Sequence, residues 1–452
     1  MNSETIIAGA RTVANLAEYM EELKRSAETM VVTLGGSRRG YFTPSEDEAV
    51  RRVLASYWQT RAALFEVVIE FREDTSLDEE SRPAAFLVAY AAALLLVDAA
   101  RFLRDTFQNR PAVRKKLNEP EPHFGIPPRV YDTVQKSLTS TRHAWHLYHA
   151  RKYYDEHQAE LARLGSDPLL APVLAVIEHL ADRIDVPAGR FVTTRMRVQT
   201  RRMGSQIRHG LFGRSIYGIM KLFSSLVADV STRPGHHPSL PAEVAGPLTE
   251  MLRPGDVLIT RKEYAATNYF LPGYWKHAAL YLGRSDDLVA LGLRDHEHVR
   301  PRWAQLLSPE PQRRVLESMK DGVRIRPLDS PFGADALTVL RPVLDSPQIA
   351  EGLARGLFHE GKPYDFDFDF TRSDRLVCTE VVYRSYEGIG PMAFTLTPRA
   401  GRLTLSAEDL VGMSLAHAHF EPVAVYSAPH APGLTTGSAV ESVLQQTRPE
   451  AG

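Results

Sequence analysis

The only cysteine of the chain, Cys378, lies in the stretch LVCTEVVYRSY. From Cys378 onward apolar residues recur at helical spacing, which predicts a thiol in the first turn of a helix capped by Ser373 or Asp374. A helix N-terminus and a nearby imidazolium both favour the thiolate, the nucleophilic form of cysteine. Glu380 follows two residues later, a spacing that points it away from the thiol on a helix. An inert, buried cysteine could occupy the same place.

His277 has the most informative surroundings among the 16 histidines. It opens the β-rich run HAALYLG and follows the aromatic stretch YFLPGYW, residues 269–275. A histidine at a strand edge beside an aromatic loop suits a general base that lines a cleft, although an exposed strand-end histidine has the same pattern. If the fold brings His277 beside Cys378, the pair predicts nucleophilic catalysis.

The overall composition narrows the class of protein. Hydrophobic residues make up 44% of the 452 residues, which is enough for more than one globular core. The net charge of -1 gives no electrostatic reason to expect nucleic acid. A single cysteine can form neither an internal disulfide nor a cysteine-rich zinc site, and we expect no metal and no cofactor. The N-terminus does not resemble a secretory signal, so we expect a cytoplasmic protein.

The first half of the chain predicts an all-α domain over residues 1–230. Its most apolar run, Ala84–Val97, is too short to span a bilayer, which requires about 20 residues, and predicts a buried core helix. The predicted helices cover Thr5–Met30, Ser45–Glu73, Arg82–Gln108, Pro128–Gln158 and Pro168–Ile184.

Residues 186–228 contain Arg and Lys interleaved with apolar residues and no acidic residue. A helix whose basic face is solvated, or pairs with acidic helices, explains this pattern. The alternative to a solvated or internally paired helix is peripheral contact with an anionic membrane through the basic residues of 190–221.

The second half of the chain predicts a different architecture. Residues 231–248 are rich in Pro, Gly and Ser and predict a linker. Residues 249–428 then contain short β-rich runs separated by turn residues, and residues 429–452 predict a disordered tail. The fold class is therefore α+β, an all-α domain followed by a small antiparallel sheet or barrel packed on helices. The β-rich runs are DVLIT, HAALYLG, RRVLES, GVRIRPL, ALTVLRP and AVYSAP.

The order of several stretches resembles a known family. LRPGDVLIT, WKHAALYLG, VLESMKDGVRIRPL, YDFDFDF and LVCTEVVYRSY follow one another as in the circularly permuted NlpC/P60 papain-like cysteine hydrolases, in particular the YiiX/YebB-like group. The resemblance covers roughly Leu252–Val425. In ordinary papain-like enzymes the cysteine precedes the histidine, whereas here His277 precedes Cys378. The resemblance implies that Cys378 is the nucleophile and that His277 is the base.

The family's third member is a polar residue on the strand that follows the histidine strand. The resemblance assigns this role to Glu317, in VLES, and implies an insertion over residues 284–313 between the two strands. Asp295, Glu297 and His298 lie in that insertion and are the alternative residues that could orient His277.

The expected function is a thiol-dependent hydrolase or acyltransferase that acts on an amide or ester bond. An acyl, lipid or peptide-like substrate is expected, with Tyr274, Trp275 and Tyr364 as substrate-binding residues. The acidic and aromatic alternation after Tyr364 lacks the glycine and the spacing of a calcium loop, which favours a cleft wall or a packed strand. The alternative function is a catalytically silent ligand-binding module whose helical domain docks on a membrane or a partner.

Overall fold

The computed structural model describes residues 4–34, 39, 41–73, 80–121, 126–138, 141–181, 238–263, 273–307, 313–399 and 402–448. The chain divides into two compact units, Met1–Pro234 and Gly235–Gly452. The basic segment 186–228 and residues 269–272 of the aromatic stretch lie outside the described residues, and so does the contact predicted for 190–221.

The described part of the first unit is helical, as predicted. A 3₁₀ turn, Leu164–Ser166, follows the seventh helix. The α-helices are α1 (Glu4–Thr33), α2 (Pro44–Glu73), α3 (Arg82–Phe107), α4 (Pro111–Lys116), α5 (Val130–Leu138), α6 (Thr141–Glu156), α7 (Gln158–Arg163) and α8 (Ala171–Ala181).

Helix α3 forms the centre of this unit. Every residue from Ala84 to Ala100 is buried, and α1, α2 and α8 pack against the helix. Within the described residues α3 is long and apolar enough to cross a membrane, but 89% of its apolar window is buried inside the unit. This burial agrees with the prediction of a core helix.

The second unit contains a seven-stranded sheet in the order β4-β3-β2-β1-β5-β8-β9, and every neighbouring pair is antiparallel. Strands β6 and β7 form a separate hairpin. The strands are β1 (Val257–Arg261), β2 (His277–Gly283), β3 (Arg314–Met319), β4 (Gly322–Pro327), β5 (Ala336–Pro342), β6 (Thr397–Arg399), β7 (Arg402–Thr404), β8 (Phe420–Ser427) and β9 (Ala431–Thr436).

Helices cover both faces of this sheet. Successive side chains of a strand point to opposite faces, so neighbouring residues of one strand belong to different cores. Leu280 and Leu316 belong to a core cluster that includes Val381, whereas Tyr281 belongs to a second cluster that includes Leu248. The predicted α+β class is confirmed. The helices are α9 (Ala242–Met251), α10 (Ser285–Ala290), α11 (Trp303–Leu307), α12 (Asp329–Phe332), α13 (Ser346–Phe358), α14 (Cys378–Tyr386), α15 (Ala407–Leu415) and α16 (Ala439–Thr447), with a 3₁₀ turn at Arg300–Arg302.

The turn between β3 and β4 contacts the segment that leads to α14. Gly322 has a φ of +96°, and a Cβ at this position would lie 2.3 Å from the carbonyl oxygen of Lys362. The next residue, Val323, donates its N–H to that carbonyl at 2.9 Å and accepts from the N–H of Gly361 at 2.9 Å. Glycine is needed here because a side chain would collide with the backbone of this segment.

The prediction of a disordered tail from residue 429 is wrong for residues 429–448. β9 pairs with β8, and α16 buries Val440, Val443, Leu444 and Thr447 on one face. These contacts compensate the low apolar content of the segment, which suggested disorder. The predicted linker, 231–248, also overlaps α9, in which Val244 and Leu248 are buried.

Candidate active site

Cys378 is the first residue of α14, and Val377 is its cap, with extended backbone angles. The predicted caps Ser373 and Asp374 lie before the helix and do not cap it. An oxygen of the Glu380 carboxyl group accepts a hydrogen bond from the N–H of Val377 at 3.0 Å and thereby satisfies one of the free donors at the helix start. The 4%-exposed Cys378 therefore lies at the positive end of the helix dipole.

The backbone just before Cys378 is fixed to the sheet. Ser318 of β3 donates its hydroxyl to the carbonyl of Leu376 at 2.6 Å in a buried hydrogen bond. Leu376 also forms a parallel bridge with Tyr364. Because Ser318 follows Glu317, the strand that holds the predicted orienting residue also positions the start of α14.

His277 is the first residue of β2, and its backbone pairs with Thr260 of β1. Its side chain is 24% exposed, so the ring is reachable from solvent while most of it is enclosed. His277 Nε2 lies 2.6 Å from Glu317 Oε2. This contact leaves Nδ1 as the ring nitrogen available to another group.

Glu317 lies in β3 beside β2, where its backbone pairs with Ala279. Its side chain is 1% exposed. The second carboxylate oxygen, Oε1, accepts a short hydrogen bond from the Ser330 hydroxyl and lies 3.4 Å from Arg326 Nε. A buried carboxylate with these partners can hold the imidazole in one orientation and one tautomer.

The electrostatics join His277 to both Glu317 and Cys378. Burial lowers the pKa of His277, but the charge of Cys378 and a hydrogen bond with it, together with the hydrogen bond and charge of Glu317, raise this pKa to about 10. Burial raises the pKa of Glu317, whereas its hydrogen bond with His277 and the charges of His277 and Arg326 lower it to about 2. An imidazolium beside a carboxylate is therefore the favoured state at neutral pH.

His277 thus interacts with both Glu317 and Cys378, although about 100 residues separate His277 from Cys378 along the chain. The alternative orienting residues lie elsewhere. His298 Nε2 is 3.8 Å from Glu297 Oε1, and the His298 ring packs on Phe358 with centroids 4.8 Å apart. Asp295 lies in the turn before them.

The three predicted substrate-binding residues differ in their surroundings. Trp275 is completely buried, and its indole N–H donates to Thr447 Oγ1 at 3.1 Å, so its assignment to substrate binding does not fit this structure. Tyr274 is half-buried, and its hydroxyl lies 2.8 Å from Ser427 Oγ. Tyr364 is half-buried and contacts the ring of Phe366 edge-on at 4.9 Å. The assignment of Tyr274 and Tyr364 to substrate binding stays a prediction.

Two further carboxyls are buried behind the start of α14. Both oxygens of Asp365 accept backbone N–H groups, from Asp367 at 2.9 Å and Asp369 at 2.6 Å. Burial, and then the charge of Asp367, raise the pKa of Asp365 to about 7. Burial, and then the charge of Asp365, raise the pKa of Glu380 to about 8. Across the described ranges, no three His, Cys, Asp or Glu side chains are grouped so as to hold a metal ion.

Glu380 gives a prediction for stability. The pKa of Glu380 is higher in the folded state than its ordinary value of 4.5. The contribution of this carboxyl to the free energy of unfolding is therefore complete below pH 4.5 and is lost as the pH rises through about 8. Glu380→Gln keeps an acceptor for Val377 and carries no charge. We expect the variant to gain about 1–3 kcal/mol relative to wild type between pH 5 and pH 9, measured by calorimetric unfolding. An exposed control, Glu351→Gln, should show no such trend, and equal differences at both pH values would contradict the prediction.

The sequence-based reasoning missed Ser330, Arg326 and Ser318, which support Glu317 and the start of α14. The place of Arg326 near Glu317 could have been predicted from the sequence. In the run GVRIRP the arginines alternate, and hairpin pairing places Arg324 opposite Glu317 with Arg326 two residues further on the same face. The contact of Ser330 with Glu317 could not have been predicted, because a serine in a short helix after β4 carries no sequence pattern that identifies its partner.

Residues 251–431 match the family described as permuted papain-like amidase enzyme, YaeF/YiiX, C92 family. No curated protein and no solved structure matches the chain. The matched range contains His277, Glu317 and Cys378 and covers less than half of the chain.

This match supports the permuted papain-like family that the sequence resembles, and with it a hydrolase of amide bonds. The broader NlpC/P60 name is not part of the matching description and stays a prediction.

Proposed function

We propose that the C-terminal unit is a cysteine hydrolase in which Cys378 is the nucleophile, His277 the general base and acid, and Glu317 the residue that orients His277. The observation that carries this proposal is the position of the His277 ring. One ring nitrogen is bound by a buried carboxylate, and the imidazole also interacts with the single thiol of the chain at the first turn of a helix. This arrangement supports a thiolate–imidazolium pair.

In the proposed reaction the thiol proton passes to His277 Nδ1, and the thiolate attacks the carbonyl carbon of an amide. The backbone N–H of Cys378 faces the developing oxyanion at the helix start. His277 then protonates the leaving amine, the C–N bond breaks, and an acyl thioester remains on Cys378. Water, deprotonated by His277, attacks this thioester and releases a carboxylic acid and the free thiol.

We propose an acyl, lipid or peptide-like amide, because the half-buried aromatic residue Tyr364 is bridged to Leu376, two residues before Cys378. An ester in place of the amide, or a second nucleophile in place of water, would make the same site an esterase or an acyltransferase. Peripheral membrane contact through residues 190–221 and a cytoplasmic location are likewise proposals, which rest on the sequence alone.

The reactivity of the thiol tests the proposal without knowledge of the substrate. Cys378 is the only cysteine, so any thiol alkylation reports on it. An ordinary thiol is below about 1% ionised at pH 6, whereas a thiolate paired with imidazolium is ionised there. We expect iodoacetamide to modify wild type at pH 6 about 10-fold or more faster than His277→Gln, measured by mass spectrometry of the intact chain.

Equal alkylation rates for wild type and His277→Gln at pH 6, with both proteins folded, would contradict the thiolate–imidazolium pair and favour a silent binding module. A matched histidine control is His417→Gln, since the side chain of His417 is exposed and its Nε2 lies 3.6 Å from Glu441 Oε1. A panel of N-acyl amides, acyl esters and short peptides then separates the substrate classes by the rate at which each releases its amine or alcohol with wild type and not with Cys378→Ala.

A further inference from the structure

Four residues that precede His277, the entry segment Gly273–Lys276, contact side chains near the C-terminus of the chain. Glu408, in the first turn of α15, accepts hydrogen bonds through one oxygen, Oε2, from the N–H of Tyr274 at 3.0 Å and of Trp275 at 3.2 Å. Gly273 has a φ of +80°, and a Cβ there would lie 2.5 Å from the same oxygen. The glycine therefore permits the close approach of Glu408.

A second contact fixes the side chain of the entry segment. Trp275 is completely buried in the core, and its indole N–H donates to the hydroxyl of Thr447, the last residue of α16, at 3.1 Å. The Thr447 hydroxyl in turn donates to the carbonyl of Leu444 at 2.7 Å. The indole N–H of a buried Trp needs such an acceptor, because an unsatisfied buried donor destabilises the fold.

The sheet holds the backbone at His277 from one side. His277 pairs with Thr260 of β1, and the preceding Lys276 donates its N–H to the carbonyl of Thr260 at 3.1 Å. On the other side the pairing of β2 with β3 begins only at Ala279, opposite Glu317. The direction of the His277 side chain therefore depends on the residues that precede it. A displacement of about 1 Å in a reacting group can reduce a rate by about 10²-fold.

We propose that Glu408 and Thr447 are positioning residues that set the His277 ring between Glu317 and Cys378 through the entry segment. This inference rests on the proposed function and adds to it a role for α16. Residues 432–448 lie beyond the family match at 251–431, so the role belongs to a part of the chain that the match does not cover. The segment that the sequence predicted to be a disordered tail would thus be required for full reactivity of the site.

Variants in matched pairs test the proposal on the full chain. Glu408→Ala removes both hydrogen bonds, whereas the carbonyl oxygen of Glu408→Gln can accept both. Thr447→Val removes the acceptor of the indole at nearly constant volume, whereas Thr447→Ser keeps it. We expect iodoacetamide alkylation of Cys378 at pH 6 to fall about 10-fold in Glu408→Ala and about 3-fold in Thr447→Val, and to stay within about 2-fold of wild type in Glu408→Gln and Thr447→Ser.

A role limited to stability would lower the melting temperature without changing the pH dependence of alkylation. The positioning role predicts that the rate of Glu408→Ala at pH 6 falls more than its rate at pH 9, because the imidazolium no longer lies beside the thiolate. Lys276 and Arg448 also face Glu408, and the Gln variant, which lacks the charge but keeps the acceptor, controls for them.

The outcomes separate this inference from the proposed function. If wild type shows no His277-dependent alkylation, the proposed function fails. If wild type shows it and folded Glu408→Ala and Thr447→Val react like wild type, the positioning role is overturned. A Glu408→Gln variant as slow as Glu408→Ala also overturns it, since charge rather than hydrogen bonding would then matter. If Glu408→Ala does not fold, the Thr447 pair decides the question.

Discussion

Replacement of Cys378 by alanine is expected to abolish amide hydrolysis, with a loss of about 10⁴-fold or more in kcat/KM. Without the sulfur no acyl thioester can form, and removal of one member of a catalytic group that acts as a unit removes nearly the whole of its contribution. Cys378→Ser should be almost as inactive, because a hydroxyl does not form the ion pair that a thiol forms with His277. The measurement is the initial rate on the best amide found in the substrate panel.

Both variants should fold, since the sulfur is a small part of the packing at the first turn of α14, and its loss costs about 1 kcal/mol. Val381→Ala, also buried in α14, is the matched control for lost packing without a lost nucleophile. The catalytic role of Cys378 is contradicted if Cys378→Ala retains more than about a hundredth of the wild-type rate while its unfolding is unchanged.

Replacement of Glu317 by alanine should affect both stability and activity. The change leaves the buried His277 Nε2 and the Ser330 hydroxyl without their acceptor and removes a negative charge beside Arg326. Loss of one partner of a buried charged pair costs about 3–5 kcal/mol. We expect this loss in hydrogen exchange of the β2 and β3 amides, and a fall in kcat of about 10³-fold or more because the imidazole loses its orientation.

The pH dependence of this effect has a defined sign. The pKa of Glu317 is lowered to about 2, so its contribution is complete above its ordinary value of 4.5 and is lost as the pH falls toward 2. The pKa of His277 is raised to about 10, so its contribution is complete below 6.5 and is lost as the pH rises toward 10. The difference in unfolding free energy between wild type and Glu317→Ala should therefore be largest between about pH 4.5 and pH 6.5.

Two variants refine this result. Ser330→Ala removes one hydrogen bond to Glu317 and should cost only about 1 kcal/mol. Glu317→Gln keeps the volume without the charge and should fall between wild type and Glu317→Ala in stability. A Glu317→Ala variant whose destabilisation does not vary between pH 5 and pH 9 would contradict the assignment of an ion pair to Glu317 and His277.

The sheet was largely predictable, and the reason lies in its apolar alternation. Runs such as DVLIT and HAALYLG combine β-branched and large apolar residues with turn residues at both ends, and each became a strand of the sheet. Burial on both faces of β2 explains why Leu280 and Tyr281 are both apolar. Glu317 was assigned from the family resemblance alone, as the polar residue on the strand that follows the histidine strand.

The C-terminal elements could not be predicted from local composition. The run APGLTT of β9 has few apolar residues, and its strand forms because β8 offers a pairing edge. In α16 the apolar positions Val440, Val443 and Leu444 do follow helical spacing, but a nine-residue helix is too short to be stable alone and forms through tertiary contacts. The contact of Thr447 with Trp275 joins residues far apart in the chain, and no sequence pattern predicts it.

Gly322 has a consequence for how the site is assembled. A chain with a single cysteine has no internal covalent bridge to fasten the strand that carries Glu317 to the stretch that ends at Cys378. The backbone hydrogen bonds between Val323 and residues 361–362 make that connection instead. Only glycine at position 322 allows the β3–β4 turn to approach the backbone of Lys362 so closely. Because no disulfide holds the site together, reducing conditions should not disturb the positions of Glu317 and Cys378. The thiol of Cys378 is not used in a disulfide and can act as a nucleophile.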